Sequence, residues 1–214
     1  MISISNGAIV ALAATYGEAK AFTALSNENP GVASFSTGHG ISAGSFLEIT
    51  SGWSRLNEKI VKAGTPDVND IPLAGIDTSL VSIYPAGGGA GSAREILTWT
   101  QISQILSSTS TGGEQQFAEF QLLESDSKKR IPTARNSMGL SFKIADDPSL
   151  AGYILAEEAN DERKPRAVRI TLPSGAVLLY NAYISLNKTP SLTVNEIMAV
   201  EFTLSLQAEP VRYL

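Results

Sequence analysis

The chain has 214 residues, 43% of them apolar and 17% charged, with a formal charge of −5 and no cysteine. This suffices for one large domain, or one domain with a smaller insert. The negative charge argues against a surface that grips nucleic acid by neutralising phosphates. The missing thiols exclude disulfides, thiolate metal sites and a thiol nucleophile.

Residues 1–20 read as a first strand and turn. Ile2, Ile4, Ala8, Val10 and Leu12 are apolar, and Asn6-Gly7 is a turn pair suited to closing a short hairpin. The apolar run 8–14 is too short to span a bilayer. No basic start or cleavage site of a secretory signal accompanies it. The expectation is a soluble protein, without membrane contact, used inside a cell or built into a particle.

From 21 to 91 the texture changes. Short apolar runs at 32–35, 46–49, 60–61, 71–73 and 81–84 sit between Gly, Asn and Pro. Strands at roughly ten-residue spacing mark a small all-β module. The run Pro85-Ala86-Gly87-Gly88-Gly89-Ala90-Gly91 reads as a flexible link that closes it. Residues 96–106 are ambiguous. Trp99, Ile102, Ile105 and Leu106 fit a helix face, whereas Thr98 and Thr100 beside Trp99 favour the strand that we expect. Residues 107–113 read as a polar turn. Phe120 and Leu122 then point one way along a strand, with Glu119 and Gln121 on its other face. Residues 125–136 form a charged loop holding Lys128, Lys129 and Arg130. That loop is long for a structureless connection, which suggests a role.

The last third is the most regular. Leu140, Phe142 and Ile144 alternate with Ser141 and Lys143, the period of a half-buried strand. Asp146-Asp147-Pro148 reads as a helix start, an Asp N-cap with Pro at the first helical position. Leu150, Tyr153 and Ile154 form the helix's apolar side, and Pro165 ends it by Lys164. Val168, Ile170 and Leu172 alternate up to a Pro173-Ser174-Gly175 turn, and residues 176–185 are apolar enough to be buried on much of both faces. Finally Met198, Val200, Phe202, Leu204 and Leu206 face one way, against Ala199, Glu201, Thr203, Ser205 and Gln207. Long strands with one apolar face and a packed helix predict an α+β, mostly β domain on antiparallel sheets.

Candidate chemistry is sparse. His39 is the single histidine, in the turn Gly38-His39-Gly40. A Ser-His-Asp triad would need it, yet no Gly-x-Ser-x-Gly elbow accompanies it, and it lacks a second histidine for a metal. Asp146-Asp147, Glu157-Glu158 and Asp161-Glu162 are readable as metal or acid–base groups, but a helix cap and a solvated face account for them. The Gly87–Gly91 run lacks the Lys-Ser/Thr ending of a phosphate loop. Lys128-Lys129-Arg130 is weak evidence for nucleic acid in so acidic a chain, and fits contact with an acidic neighbouring subunit. We expect no enzyme activity, cofactor or metal.

The ordered phrases SNGAIVALAATYGEAKAFTALSN, GHGISAGSFLEITSGWSRLN, IADDPSLAGY, RAVRITLPSGAVLLYNAYISLN and VNEIMAVEFTLSLQAEPVRY resemble the tail tube proteins of long-tailed, non-contractile phages, especially those that attach to flagella. Together the phrases cover nearly the whole chain. The resemblance implies a sandwich- or barrel-like tail tube fold and hexameric rings stacked into a tube. It also implies a tape measure protein inside that tube, with terminator and tip proteins at its ends. DNA would pass through without specific binding, in a virion assembled in the host cytoplasm. On this reading residues 1–20 and 92–214 are the tube core, and 21–91 is a small β insert on the outer surface. Strand alternation alone then makes Glu119, Gln121, Glu201, Thr203 and Ser205 candidates for the channel wall. A polar, acidic wall suits a channel that must not hold DNA. Lys128, Lys129 and Arg130 become candidates for an inter-subunit contact. The alternative is a β-sandwich carbohydrate- or receptor-binding module with Trp53 as a stacking residue. A hydrolase built on His39 is the third reading.

Overall fold

The computed structural model describes residues 6–214; Ile2 and Ile4 lie outside them. The fold is α+β and mostly β, antiparallel throughout, with a single helix among the described residues. Two long strands carry the architecture. β1 (Ile9–Leu25) and β6 (Gly91–Ile102) pair from Val10↔Ile102 to Phe22↔Gly91. Register shifts around Thr15 and Tyr16 interrupt this ribbon midway, and such bulges bend a strand and increase its twist. Each half of the ribbon joins a different body.

One half closes a barrel. β2 (Val32–Phe35), β3 (Phe46–Ser51), β4 (Ile60–Ala63) and β5 (Asp70–Ala74) pair in the circuit β1-β2-β5-β4-β3-β6 and back to β1. A closed circuit leaves no free edge. Phe22, Leu47, Ile49, Leu56, Ile71 and Leu73 fill it. Residues 81–84, expected as a strand, form a turn in which the Ile83 and Tyr84 amides donate to the Leu80 carbonyl. Nor is 85–91 a free link. The Trp53 indole donates to the Pro85 carbonyl at 2.8 Å, and Gly91 already belongs to β6. A Cβ on Gly89 would come within 2.9 Å of the Trp53 ring, so only glycine fits there.

The other half opens into a sheet. From β1 it runs through β11 (Arg166–Thr171), β12 (Val177–Asn187), β13 (Ala199–Leu206), β10 (Gly139–Ala145) and β7 (Ile105–Thr111), with β14 (Val211–Tyr213) also on β12. Val10, Leu12 and Val168 from one end of the sheet share a core with Phe142, Val200, Phe202 and Leu204 from the other. The sheet therefore curls over itself, and α1 (Ala151–Glu162) adds Tyr153, Leu155, Ala156 and Ala159 to that core. Gly152 permits the approach: a Cβ there would sit 2.3 Å from the Gln101 carbonyl oxygen. The two bodies also meet at the C-terminus, where the Tyr213 hydroxyl donates to Ala74 O and accepts from Lys62 N.

Residues 96–102 are strand, as expected, and β7 follows at once after Gln104, whose φ is 58°. Several other expectations need correction. Residues 107–113 are thus mostly strand rather than a turn. Residues 125–136 are not one loop, because β9 (Lys129–Arg135) pairs with β8 (Gln115–Phe120) in a separate hairpin. β8 ends at Phe120, so Gln121 and Leu122 lie past it. The helix starts at Ala151 after an extended Leu150, not at Asp147-Pro148. The Asp147 carboxylate accepts from the Ser149 amide and hydroxyl instead of capping the helix, and these bonds hold its pKa below the usual carboxylate range. Ile154 points outward and Leu155 inward. The helix does end where Pro165 requires, at a left-handed Arg163 with φ 53°.

Candidate functional site

β7, β10, β13 and β12 lie side by side with one apolar and one polar face. Phe142, Ile144, Val200, Phe202, Leu204 and Ile184 point into the core. Successive strand side chains alternate, so their neighbours must point the other way. The pairing sets those neighbours in three rows. Ser107, Lys143, Glu201 and Asn187 form the first; Thr109, Ser141, Thr203 and Ser185 the second; Thr111, Gly139, Ser205 and Tyr183 the third. The whole first row, with Thr109 and Ser141 of the second, lines a shallow depression of about 410 Å³.

The electrostatics of this face differ from an acidic wall. It carries one carboxylate, Glu201, and the register sets Lys143 directly opposite. The Ser141 hydroxyl donates to Glu201 Oε1 at 2.6 Å. The face is therefore polar but uncharged overall. Among the described residues, β7 forms the outer edge of the sheet, with no strand beyond it. At the other side, the edge of β12 beyond Ala182 lacks a strand partner among the described residues, and the α1 side chain Asn160 accepts from the Leu186 amide there.

The structure brings Glu201, Thr203 and Ser205 together but not Glu119 and Gln121. Glu119 lies on the β8–β9 hairpin, where Arg130 Nε and Nη2 both donate to its Oε1 at 2.8 and 2.5 Å. Gln121 donates to the Ser125 carbonyl in the hairpin's turn. Lys128 and Lys129 are exposed and make no ion pair among the described residues. The hairpin also exposes Phe120 and Leu122, expected on one strand face, and Phe117, Leu123 and Ile131, which the sequence reading did not single out. Lys143, Ser107, Thr109, Ser185 and Asn187 were missed as members of the polar face. The alternation of Ser141 and Lys143 with Phe142 signalled their side, but their partners depend on register.

The remaining candidates are structural. His39 is buried: its Nδ1 accepts from the Ile41 amide and its Nε2 bonds the Asp67 carbonyl oxygen, so neither nitrogen is left for a triad. Trp53 is buried against Tyr84, ring centroids 5.1 Å apart, and offers no exposed stacking face.

In comparisons with known proteins, residues 51–214 match the family described as phage tail tube protein, TTP. Among solved structures, the chain is similar to the cap of the anti-feeding prophage, a tube terminating cap. That match has 17% identity and a TM-score of 0.38, over 53% of this chain and 81% of that one. It is also similar to a chain of the sheath–tube complex of an extracellular contractile injection system in its extended state. There identity is 15% and the TM-score 0.36, over 49% of this chain and 78% of that one. No curated protein matches.

Proposed function

This chain belongs to the phage tail tube protein family, a structural component of the virion tail, and we propose how it builds the tube: copies close into hexameric rings, rings stack, and DNA passes to the host through the channel. The polar four-stranded face is the channel wall. One observation carries this reading: a face of twelve cross-paired positions, apolar behind and neutral in front, ends at the open edge of β7. An open edge is a hazard unless another chain pairs with it, and ring closure supplies that chain. A neutral wall of hydroxyls and amides gives the phosphate backbone no counter-charge to bind.

On this proposal Glu201, Thr203 and Ser205 line the channel with Lys143, Ser141 and Thr109. Glu119 and Gln121 reach it only where their hairpin does. The core, residues 1–20 and 92–214, forms the tube. The barrel of 21–91 decorates its outside, because a closed circuit of strands needs no neighbour. The hairpin that carries Lys128, Lys129 and Arg130 contacts an adjacent copy. A tape measure protein fills the channel before DNA does, terminator and tip proteins close its ends, and assembly takes place in the host cytoplasm. The tail is of the long, non-contractile type.

Imaging the purified protein by negative stain tests the assembly. The chain has no cysteine, so a single Thr203→Cys reports the wall chemically. We expect tubes in which Thr203→Cys is shielded from a bulky maleimide while Glu158→Cys on α1 reacts. A small stable oligomer, or equal labelling of both sites in long tubes, contradicts the proposal.

A further inference from the structure

We infer that a cleft walled by the barrel, the root of the β8–β9 hairpin and the stretch between β13 and β14 binds a small free phosphate anion of two or more charges, such as pyrophosphate. This inference goes beyond the tube reading and does not depend on it. The cleft measures about 370 Å³, a size that small-molecule sites commonly have. Its charged lining is Arg55 and Lys59 from the barrel, Arg135 from the hairpin and Glu209 from the stretch between β13 and β14. Three cations against one carboxylate leave two positive charges unmatched there, in a chain whose formal charge is −5. Glu58 and Glu114 adjoin lining residues in sequence but are not part of the lining.

The fold holds these groups in place. Trp53 and Leu56 are buried in the barrel core, and the Leu56 and Asn57 amides both donate to the Trp53 carbonyl at 2.9 Å. The loop pinned by these anchors leaves Arg55, Asn57 and Lys59 to line the cleft. Asn57 Oδ1 accepts from the Ser51 amide at 3.1 Å, which leaves the Asn57 amide nitrogen as a further donor. Arg135 Nη1 donates to Glu209 Oε1 at 2.9 Å, so the carboxylate in the lining is already engaged. Arg55 and Lys59 make no ion pair among the described residues. Lys59 is half-buried. Burial lowers its pKa; Glu209 opposes that shift and Arg55 adds to it. A partly desolvated ammonium without a partner is unfavourable, and an anion set against it offsets the loss of water. Arginine forks and a lysine point charge are the groups that recognise phosphate oxygens. One dianion neutralises both unmatched charges, whereas a single carboxylate leaves one over.

Titration calorimetry on the full chain at low salt, with inorganic pyrophosphate as the probe, tests this. The parent should show one saturable site per chain. Arg55→Gln and Lys59→Gln should each weaken binding about tenfold, the loss of one charge-assisted hydrogen bond. Glu209→Gln removes the competing carboxylate, frees Arg135 and should tighten binding, an effect that a merely structural role would not give. Lys164→Gln, outside the cleft, should leave binding unchanged. Circular dichroism checks that each variant folds. A short oligothymidylate separates a free phosphate anion from a nucleic acid strand as the source; its diesters carry one charge each, and it should bind more weakly than pyrophosphate. The inference is overturned if the parent shows no saturable site, or if Arg55→Gln and Lys59→Gln bind like the parent. It is also overturned if Lys164→Gln weakens binding as much as they do, if Glu209→Gln fails to tighten it, or if the oligothymidylate binds more tightly than pyrophosphate.

Discussion

Glu201→Lys isolates the electrostatics of the proposed channel wall. Glu201 accepts from the Ser141 hydroxyl and faces Lys143 across the strand pair. The substitution loses that exposed hydrogen bond, at about 1 kcal/mol. It also sets two lysines opposite each other, at about 0.2–1 kcal/mol. A total of about 1–2 kcal/mol is small beside the roughly 5–15 kcal/mol that holds a domain together, so the subunit should fold and assemble. The wall charge per copy goes from zero to two positive, about twelve per ring in the proposed hexamer. If passing DNA engages about four phosphates there, its retention should fall with salt at a log–log slope of about −4. The assay is ejection kinetics from reconstituted particles, followed by dye binding to released DNA across a salt series. Glu201→Lys should slow ejection most at low salt. The double variant Glu201→Lys with Lys143→Glu restores neutrality and should restore the rate, whereas Glu158→Lys should leave it unchanged. Normal ejection by Glu201→Lys, or no recovery in the double variant, refutes the reasoning.

Three further outcomes are expected. Phe202→Ala removes a fully buried ring packed on Phe142 and should cost about 3–5 kcal/mol in denaturant unfolding; a loss under about 1 kcal/mol contradicts its place in the core. Replacing residues 23–89 with a short Gly/Ser linker keeps the Phe22↔Gly91 pair and should give thinner tubes in negative stain. A folded, soluble product that never assembles shows that the barrel is needed for the ring. Burial raises the phenol pKa values of Tyr16, Tyr180 and Tyr213 above their ordinary range. Their contribution to stability is full below the ordinary phenol pKa and is lost as pH rises through the raised values, so melting temperature should drop in strong alkali, and less so in Tyr213→Phe.

How much was legible in the sequence depended on what each segment packs against. β10 and β13 were readable because one face of each meets the core, which writes a period-2 apolar signal into residues 140–144 and 200–206. β7, β8 and β9 were not. Ile105 is half-buried and every other residue of β7 is exposed, as is nearly all of the hairpin, so burial within the subunit imposes no apolar alternation there. The helix start was misread because Asp147 is satisfied locally by Ser149, a competing use of the same residue type. Lys143 was visible as an outward residue, but its place opposite Glu201 follows from register, which no single strand encodes. The barrel strands stood out by spacing, while the sharing of β1 and β6 between two bodies depends on bulges near Thr15 and Tyr16 that no composition change marks.

The most direct test is a cryo-EM reconstruction of the assembled tube. The account predicts that the row Ser107, Lys143, Glu201 and Asn187 lies on the channel wall, repeated around the axis, with the edge of β7 paired to an adjacent copy. A map that buries this row between subunits, or turns it to the outer surface, contradicts the account.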